Sequence, residues 1–120
     1  VRVFLEQRVR SCAEAGIGAD RLCLDPGFGF GKTVSHNLTL LRRLPELAVL
    51  QRPLLAGLSR KSLLQRLTGR APDERLAGSV ALATLAVLHG ARIVRAHDVA
   101  ATVDAVAVAW ALVNSSGDGM

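Results

Sequence analysis

Aromatic residues are scarce in this sequence. Tyrosine is absent from its 120 residues, and aromatic side chains make up only 3% of them. The formal net charge of +5 would suit a nucleic-acid-binding protein. Bases, however, are commonly bound by stacking on aromatic rings, and the arginines here are spread over the whole chain. The composition therefore argues against nucleic acid and favours a small anionic partner for the basic side chains.

Long apolar runs are also lacking. No unbroken apolar stretch reaches the roughly 20 residues that a membrane-spanning helix needs. No charged segment followed by an apolar core stands near Val1 to suggest a secretory signal. The cysteines Cys12 and Cys23 lack the spacing of a metal site and stand among apolar residues, so we expect both to be buried. The sequence predicts a cytoplasmic protein with no membrane partner.

The remaining composition is globular, with 50% hydrophobic and 21% charged residues. Three short apolar runs, near residues 21–25, 53–57 and 92–95, are typical of buried strands. Each run is followed by a polar loop and then by a helical pattern, which predicts an α/β fold with parallel strands. We expect residues 1–120 to form one domain or part of one, with a small polar tail at 114–120.

The segment LDPGFGFGKT, residues 24–33, ends like a phosphate-binding P-loop. The P-loop pattern requires a glycine at the position that Pro26 occupies here. Proline has no backbone N–H to donate to a phosphate. The glycines at 27, 29 and 31 alternate, so the dinucleotide-binding pattern fails as well. The segment does not support a nucleotide-binding loop.

Polar residues collect directly after the three predicted strands. In parallel α/β folds, functional residues lie on loops at the carboxyl ends of strands. Two carboxylates, three cations, a histidine and two hydroxyls meet this description: Asp25, Ser59, Arg60, Lys61, Ser62, Arg95, His97 and Asp98. Such a set suits a polar ring bound through its donor edge, with a phosphate group beside it. It contains no Cys/His cluster, so we expect no metal ligand in this chain.

Five stretches, in this order and spacing, resemble the C-terminal part of the dihydropteroate synthase family: LDPGFGFGK at 24–32, SHN at 35–37, GLSRKS at 57–62, ERLAGS at 74–79 and RAHDV at 95–99. That family makes 7,8-dihydropteroate from 6-hydroxymethyl-7,8-dihydropterin diphosphate and p-aminobenzoate, releasing pyrophosphate. The resemblance implies that this chain is the C-terminal part of a TIM (β/α)8 barrel, with about three βα units. It also implies a longer synthase, of which this part alone is inactive.

The resemblance implies roles for four of the strand-end residues. Asp25 matches the residue that accepts hydrogen bonds from the N–H groups of the pterin. Lys61 matches a lysine that contacts the pterin and faces the p-aminobenzoate site. Arg95 matches an arginine that stacks its guanidinium plane on the pterin ring, and His97 matches a pyrophosphate contact. Lys61, Arg95 and His97 are thereby the implied catalytic set.

Further residues are implied in substrate binding. Ser62 would begin a helix whose N–H groups receive the benzoate carboxylate, a role compatible with ordinary capping. Gly29 and Phe30 would lie at the substrate mouth, although Phe28 and Phe30 suit packing under the glycine loop equally well, with Phe30 the better candidate for a wall. We expect Asp98 mainly to cap the last helix.

The resemblance also implies a cofactor and partners. The family uses Mg²⁺, whose protein ligand would lie in an earlier part of the barrel. The substrates are the pterin diphosphate and p-aminobenzoate. Helical patterns at 74–88 and 99–113 are apolar nearly all round, beyond what one core face needs. Because the family pairs such helices across a dimer interface, we expect a homodimer.

Two alternatives stay open. One is a methyltetrahydrofolate methyltransferase-like pterin-binding domain, and the pair Arg60 and Lys61 favours the synthase over it. The other is a degenerate paralogue without catalytic activity, which the intact set of Asp25, Lys61, Arg95 and His97 argues against.

Overall fold

The computed structural model describes residues 1–29 and 32–115. Within these residues the chain forms five α-helices and two strands, in the order α1 (Arg2–Glu14), α2 (Val34–Arg42), β1 (Leu54–Ala56), α3 (Ser62–Thr68), α4 (Leu76–Leu88), β2 (Ala91–Val94) and α5 (Val99–Val113). Short 3-10 helices cover Ala19–Arg21, Leu44–Leu50 and Pro72–Glu74. The predicted α/β class with parallel strands is confirmed.

The two strands pair in parallel, with Leu55 opposite Ile93 and Ala56 opposite Val94. On the other side of β1, Leu24 forms an isolated parallel bridge with Leu54. Its N–H donates to Pro53 O at 2.8 Å, and its carbonyl accepts from Leu55 N at 2.7 Å. The order across the sheet is therefore Leu24, β1, β2, and all three segments point their carboxyl ends at the same edge.

The expected strand near residues 21–25 is reduced to this one bridge. Arg21 ends a 3-10 helix, and the backbone turns directly after Leu24. Asp25 Oδ1 accepts a hydrogen bond from Gly27 N at 2.8 Å, and Gly27 has a φ of +78°. A turn of this kind cannot continue a ladder, so the prediction of a whole strand there was wrong.

The helices begin and end at residues with a clear local cause. Thr33 caps α2, because its hydroxyl accepts from His36 N at 3.1 Å. Gly69, at a φ of +71°, ends α3 in the left-handed conformation that suits glycine. Pro72 stands in the first turn of the 3-10 helix that precedes α4. The helices α4 and α5 pack on each other, and α4 also contacts β2.

The core is built mainly from leucines contributed by the helices and β1. It consists of Leu5, Leu24, Phe28, Leu41, Leu44, Leu47, Leu54, Ala56, Leu58, Leu63, Leu64, Leu82, Ala86 and Ala91. Phe28 is only 1% exposed, so of its two possible roles the structure shows packing beneath the glycine loop. Cys23 is exposed and Cys12 is half-buried, so the expectation that both cysteines are buried was wrong.

The outer surface of α5 is strongly apolar. Val99, Val103, Val108 and Leu112 are exposed by 59% to 72%. None of the helices in the part of the chain that the structure describes is long and apolar enough to span a membrane.

Candidate functional site

Asp25 and Arg95 meet at the carboxyl edge of the sheet. Arg95 directly follows β2, and its N–H donates to Ala56 O at 3.0 Å, which extends the pairing with β1 by one bond. Its guanidinium then lies over Gly57, where an added Cβ would come within 2.3 Å of Nη2. Arg95 Nη1 lies 3.6 Å from Asp25 Oδ2. Gly57 thus provides the space in which the cation reaches the carboxylate.

Lys61 lies against the glycine loop. A Cβ added to Gly29 would lie 3.2 Å from Lys61 Cδ and 3.7 Å from its Nζ. Gly29 has a φ of +85°, a conformation that L-residues rarely adopt. The lysine and the glycine, named separately from the sequence, are therefore neighbours; the backbone conformation favours glycine at position 29, and an added Cβ would also crowd the Lys61 side chain.

Two side chains, one in α2 and one just before it, hold the backbone of the glycine loop at Gly27 and Gly29. Asn37 is buried, and its Oδ1 accepts from Gly29 N at 2.8 Å while its Nδ2 donates to Thr33 O at 3.0 Å. Lys32 Nζ donates to Gly27 O at 2.8 Å. Sequence reasoning gave Asn37 no role, although a polar residue on the inner face of an amphipathic helix is a readable signal.

Two adjacent pairs of residues join the loop after β1 to the loop after β2. Ser59 Oγ accepts from His97 N at 3.1 Å and lies 2.9 Å from His97 Nδ1. Arg60 binds Asp98 through two contacts, Nη2 to Oδ1 at 2.7 Å and Nε to Oδ2 at 3.2 Å. Bidentate pairing of this kind restricts orientation as well as distance. His97 is consequently held beside the loop after β1, which carries Arg60 and Lys61.

The expected capping role of Asp98 is confirmed for its position and wrong for its side chain. Asp98 occupies the cap position of α5, but its side chain makes no capping hydrogen bond. The hydrogen bond from the Arg60 guanidinium instead lowers the pKa of the Asp98 carboxyl and raises the pKa of Arg60. The first turn of α5 is closed by Thr102, whose N–H and hydroxyl donate to Asp98 O at 3.0 Å and 2.7 Å.

The backbone of Arg60 is fixed by residues that sequence reasoning missed. Arg60 has a left-handed φ of +53°. Its N–H donates to Ser79 Oγ at 2.9 Å, and its carbonyl accepts from Arg75 Nη1 at 2.9 Å. Arg75 is only 5% exposed, and it also donates to Arg70 O and to Gln65 Oε1. The only available signal was an arginine and a serine placed one helical turn apart at the start of an otherwise apolar helix.

Ser62 is the first residue of α3, and the cap position belongs to Lys61. Ser62 therefore does not act as an ordinary N-cap. It lines a cleft of about 290 Å³ between the glycine loop and α3, together with Gly29, Lys32 and Arg66. Phe30, also predicted from the sequence, lies outside the described residues.

Residues 1–29 and 32–115 contain no group of three or more histidine, cysteine, aspartate or glutamate side chains that could hold a metal ion. The charged groups of the site instead include the Asp25 carboxylate facing the guanidinium of Arg95, the Arg60–Asp98 pair, and the amine of Lys61 beside Gly29. This arrangement offers hydrogen-bond acceptors and positive charge at one sheet edge.

Comparison with known proteins decides the family. The family described as pterin binding enzyme matches residues 1–97. The chain belongs to the pterin binding enzyme family.

Two similar proteins are both named dihydropteroate synthase. Dihydropteroate synthase of Escherichia coli (strain K12) is 50% identical over 114 residues, covering 95% of this chain and 40% of that protein. Dihydropteroate synthase of Neisseria meningitidis serogroup C is 54% identical over 109 residues, covering 89% of this chain and 38% of that protein. The resemblance seen in the sequence is confirmed, and the chain spans about 40% of the length of these curated relatives.

A solved structure of a dihydropteroate synthase shares the fold described above. Dihydropteroate synthase from Xanthomonas albilineans, solved in complex with 7,8-dihydropteroate, is 50% identical with a TM-score of 0.90. The match covers 95% of this chain and 44% of that one. The described arrangement of helices and strands is thus that of the corresponding part of a synthase.

Proposed function

We propose that this chain supplies pterin- and p-aminobenzoate-binding loops of a dihydropteroate synthase. The longer protein would condense 6-hydroxymethyl-7,8-dihydropterin diphosphate with p-aminobenzoate, giving 7,8-dihydropteroate and pyrophosphate. The observation that carries the proposal is the approach of Arg95 to Asp25 across Gly57, at the edge where Lys61 and His97 also lie. The bound dihydropteroate in the Xanthomonas relative supports the same conclusion.

Asp25 would bind the edge of the pterin ring, and Arg95 beside it would stack on the face of the ring. A carboxylate only accepts hydrogen bonds and has two oxygens, which matches a ring edge carrying amino and ring N–H groups. Oδ1 already accepts from Gly27 N, which orients the carboxylate. The planar guanidinium of Arg95 suits stacking on a flat ring, a task for which lysine is a poor substitute.

The reaction would be a substitution at the methylene carbon attached to the pterin. The amine nitrogen of p-aminobenzoate forms a bond to this carbon, the carbon–oxygen bond to the diphosphate breaks, and its electron pair leaves with pyrophosphate. The nitrogen then loses a proton to solvent, and no general base is assigned. Lys61, Arg95 and His97 would stabilise the negative charge that develops on the leaving group.

The cleft beside the glycine loop would receive the second substrate. Ser62 and Gly29 line it, and the amine of Lys61 lies near Gly29. A benzoate carboxylate there would meet the positive charge of Lys32 and Arg66, which line the same cleft. Phe30 is proposed as a wall of this mouth by resemblance alone.

Magnesium is implied by the resemblance. The described residues of this chain contain no group of three or more histidine, cysteine, aspartate or glutamate side chains that could hold the ion by themselves. No step is therefore assigned to the ion, and any protein ligand to it would belong to another part of the synthase.

The proposed context is a TIM barrel in a cytoplasmic homodimer. Leu24, β1 and β2 form an open parallel arrangement, and parallel sheets normally occur with both faces covered and further strands alongside. The apolar outer face of α5 supports burial against another helical surface. Nucleic acid and membrane are not proposed as partners.

The first test is the coding DNA upstream of Val1. Further in-frame strand–loop–helix units would support a synthase of which this chain is one part. A stop codon or unrelated sequence would contradict the proposal and favour a remnant without catalytic activity.

The second test uses the full-length protein and the Asp25→Asn variant. The amide replaces one acceptor by a donor, so we expect the dissociation constant of the pterin substrate to rise at least tenfold, the cost of about 1.4 kcal/mol for a mismatched hydrogen bond to a charged group. The control is Asp104→Asn on α5. Calorimetric titration that shows equal pterin affinity for both variants would contradict the proposed role of Asp25. Methyl transfer in place of condensation by the full-length protein would favour the methyltransferase alternative.

A further inference from the structure

We propose that Ser59 sets the tautomer of His97, so that the ring carries its proton on Nε2 and presents an N–H donor toward the site. The hydroxyl of Ser59 is thereby a positioning group for the histidine. The tautomer follows from local geometry, whereas the identity of the anion that the N–H would meet, the leaving pyrophosphate, rests on the proposed function.

The geometry places one hydroxyl between two nitrogens of the same residue. Ser59 Oγ lies 3.1 Å from His97 N and 2.9 Å from His97 Nδ1. The backbone N–H can only donate, so it uses one of the two lone pairs of the hydroxyl oxygen. The oxygen keeps a second lone pair, but among the described residues Nδ1 is the one atom within hydrogen-bond distance of Oγ that can accept the hydroxyl proton, so we assign that proton to the bond with Nδ1.

A neutral imidazole has one N–H and one bare nitrogen. If Nδ1 accepts from Ser59, Nδ1 is the bare nitrogen and the proton lies on Nε2. The partner of one ring nitrogen commonly fixes the role of the other in this way. Ser59 thus determines whether His97 offers an anion a hydrogen-bond donor or a lone pair.

The two loops are held at the right distance by the neighbouring pair. Arg60 and Asp98 directly follow Ser59 and His97 in sequence, and their bidentate contact joins the same loops. The Ser59 contact therefore does not have to hold the loops together by itself. Removing the hydroxyl should change the ring without separating the loops.

The experiment is nitrogen NMR of histidine-labelled full-length protein at mildly alkaline pH, where histidine rings are ordinarily neutral. We expect a bare Nδ1 and a protonated Nε2 for His97 in the parent protein, with the signal assigned by its loss in His97→Gln. Ser59→Ala should give a mixture of both tautomers, and Ser59→Thr, which keeps a hydroxyl, should restore the single form. Ser35→Ala, next to His36 in α2, is the matched control and should leave His97 unchanged.

A parent protein with its proton on Nδ1, or a Ser59→Ala spectrum identical to that of the parent, would overturn the proposal. Both outcomes are read without turnover, so they are independent of the proposed function. A separate titration with inorganic pyrophosphate tests the consequence. Because only part of the Ser59→Ala rings would present the Nε2 N–H, binding should weaken about twofold if half of them do. An altered tautomer with unchanged pyrophosphate affinity would keep the positioning role but contradict the proposed use of the N–H.

Discussion

Gly57 shows how one residue without a side chain determines where a catalytic candidate lies. Its backbone does not need glycine for its φ, unlike Gly29. What requires glycine is space, because a Cβ would lie 2.3 Å from Nη2 and 2.8 Å from Cζ of Arg95. Arg95 is a long and flexible side chain that can move away, so a larger residue at position 57 should displace the guanidinium while leaving the fold intact.

We therefore expect Gly57→Ala to lower kcat/KM of the full-length enzyme about tenfold, equivalent to about 1.4 kcal/mol of transition-state stabilisation. The loss should appear largely as a higher KM for the pterin substrate, because Arg95 is proposed to stack on that ring. Steady-state kinetics with both substrates varied measures it, and thermal unfolding checks that the fold is retained.

The control for this substitution is its repetition in an Arg95→Ala background. Once the guanidinium is gone, the added methyl group has nothing to displace, so Gly57→Ala should cause little further loss. If the two substitutions lower kcat/KM independently, the effect of Gly57→Ala does not act through Arg95.

At the scale of elements, the loop after β1 is held from two directions. The first turn of α4 binds the backbone of Arg60 through Ser79 and Arg75, and the start of α5 binds its side chain through Asp98. A left-handed φ at a non-glycine residue is unfavourable by about 1–2 kcal/mol and persists only when its surroundings impose it. These contacts fix the direction in which the chain continues to Lys61.

The Arg60–Asp98 pair predicts a pH dependence of the stability of the folded protein. The arginine holds the pKa of Asp98 below its ordinary value. A lowered folded-state pKa means that the stabilisation is fully present above the ordinary aspartate value of about 3.9 and is lost as the pH falls below it. We expect the parent protein to exceed Asp98→Asn in free energy of unfolding at neutral pH, with the difference vanishing in acid.

Urea unfolding over a pH series measures this difference, with Asp104→Asn on the same helix as the matched control. Because the pair is partly solvent-exposed, added salt should also reduce the difference at neutral pH. A difference between the parent and Asp98→Asn that stays constant from neutral to strongly acidic pH would show that the carboxylate charge is not its source.

Much of the element order could be predicted from the sequence, and the failures have local or long-range causes. The helices α4 and α5 lie within the helical patterns predicted at 74–88 and 99–113, and α4 is preceded by Pro72 and followed by Gly90. The predicted strand near residues 21–25 is reduced to one bridge because Leu24 is followed at once by a turn. The pairing of Arg60 with Asp98 could not be predicted, because the two residues lie 38 positions apart and a single sequence gives no pairing information.

At the scale of the whole molecule, the described residues leave large apolar surfaces uncovered. A cavity of about 560 Å³ lies between β2 and α5, lined mostly by apolar side chains, with Arg92 placed 4.8 Å from the ring centre of Trp110. The segment at Leu24 and strand β2 form the two sides of the sheet, along which further strands would pair. In a closed barrel these edges would be paired, and helices would cover the apolar faces.

We therefore expect the isolated 120 residues to show no measurable condensation and to associate through their apolar surfaces. The Asp25–Arg95 half of the site would be present, but the remaining substrate contacts would be missing. A turnover assay with both substrates, combined with light scattering, measures the two properties. Adding the rest of the synthase as a separate chain should lower the scattering and restore turnover, since the open sheet edges would then find strands. An isolated chain that forms product at the rate of the full-length enzyme would contradict the barrel proposal. A mixture of the two parts that neither forms product nor scatters less light than the isolated chain would contradict it as well.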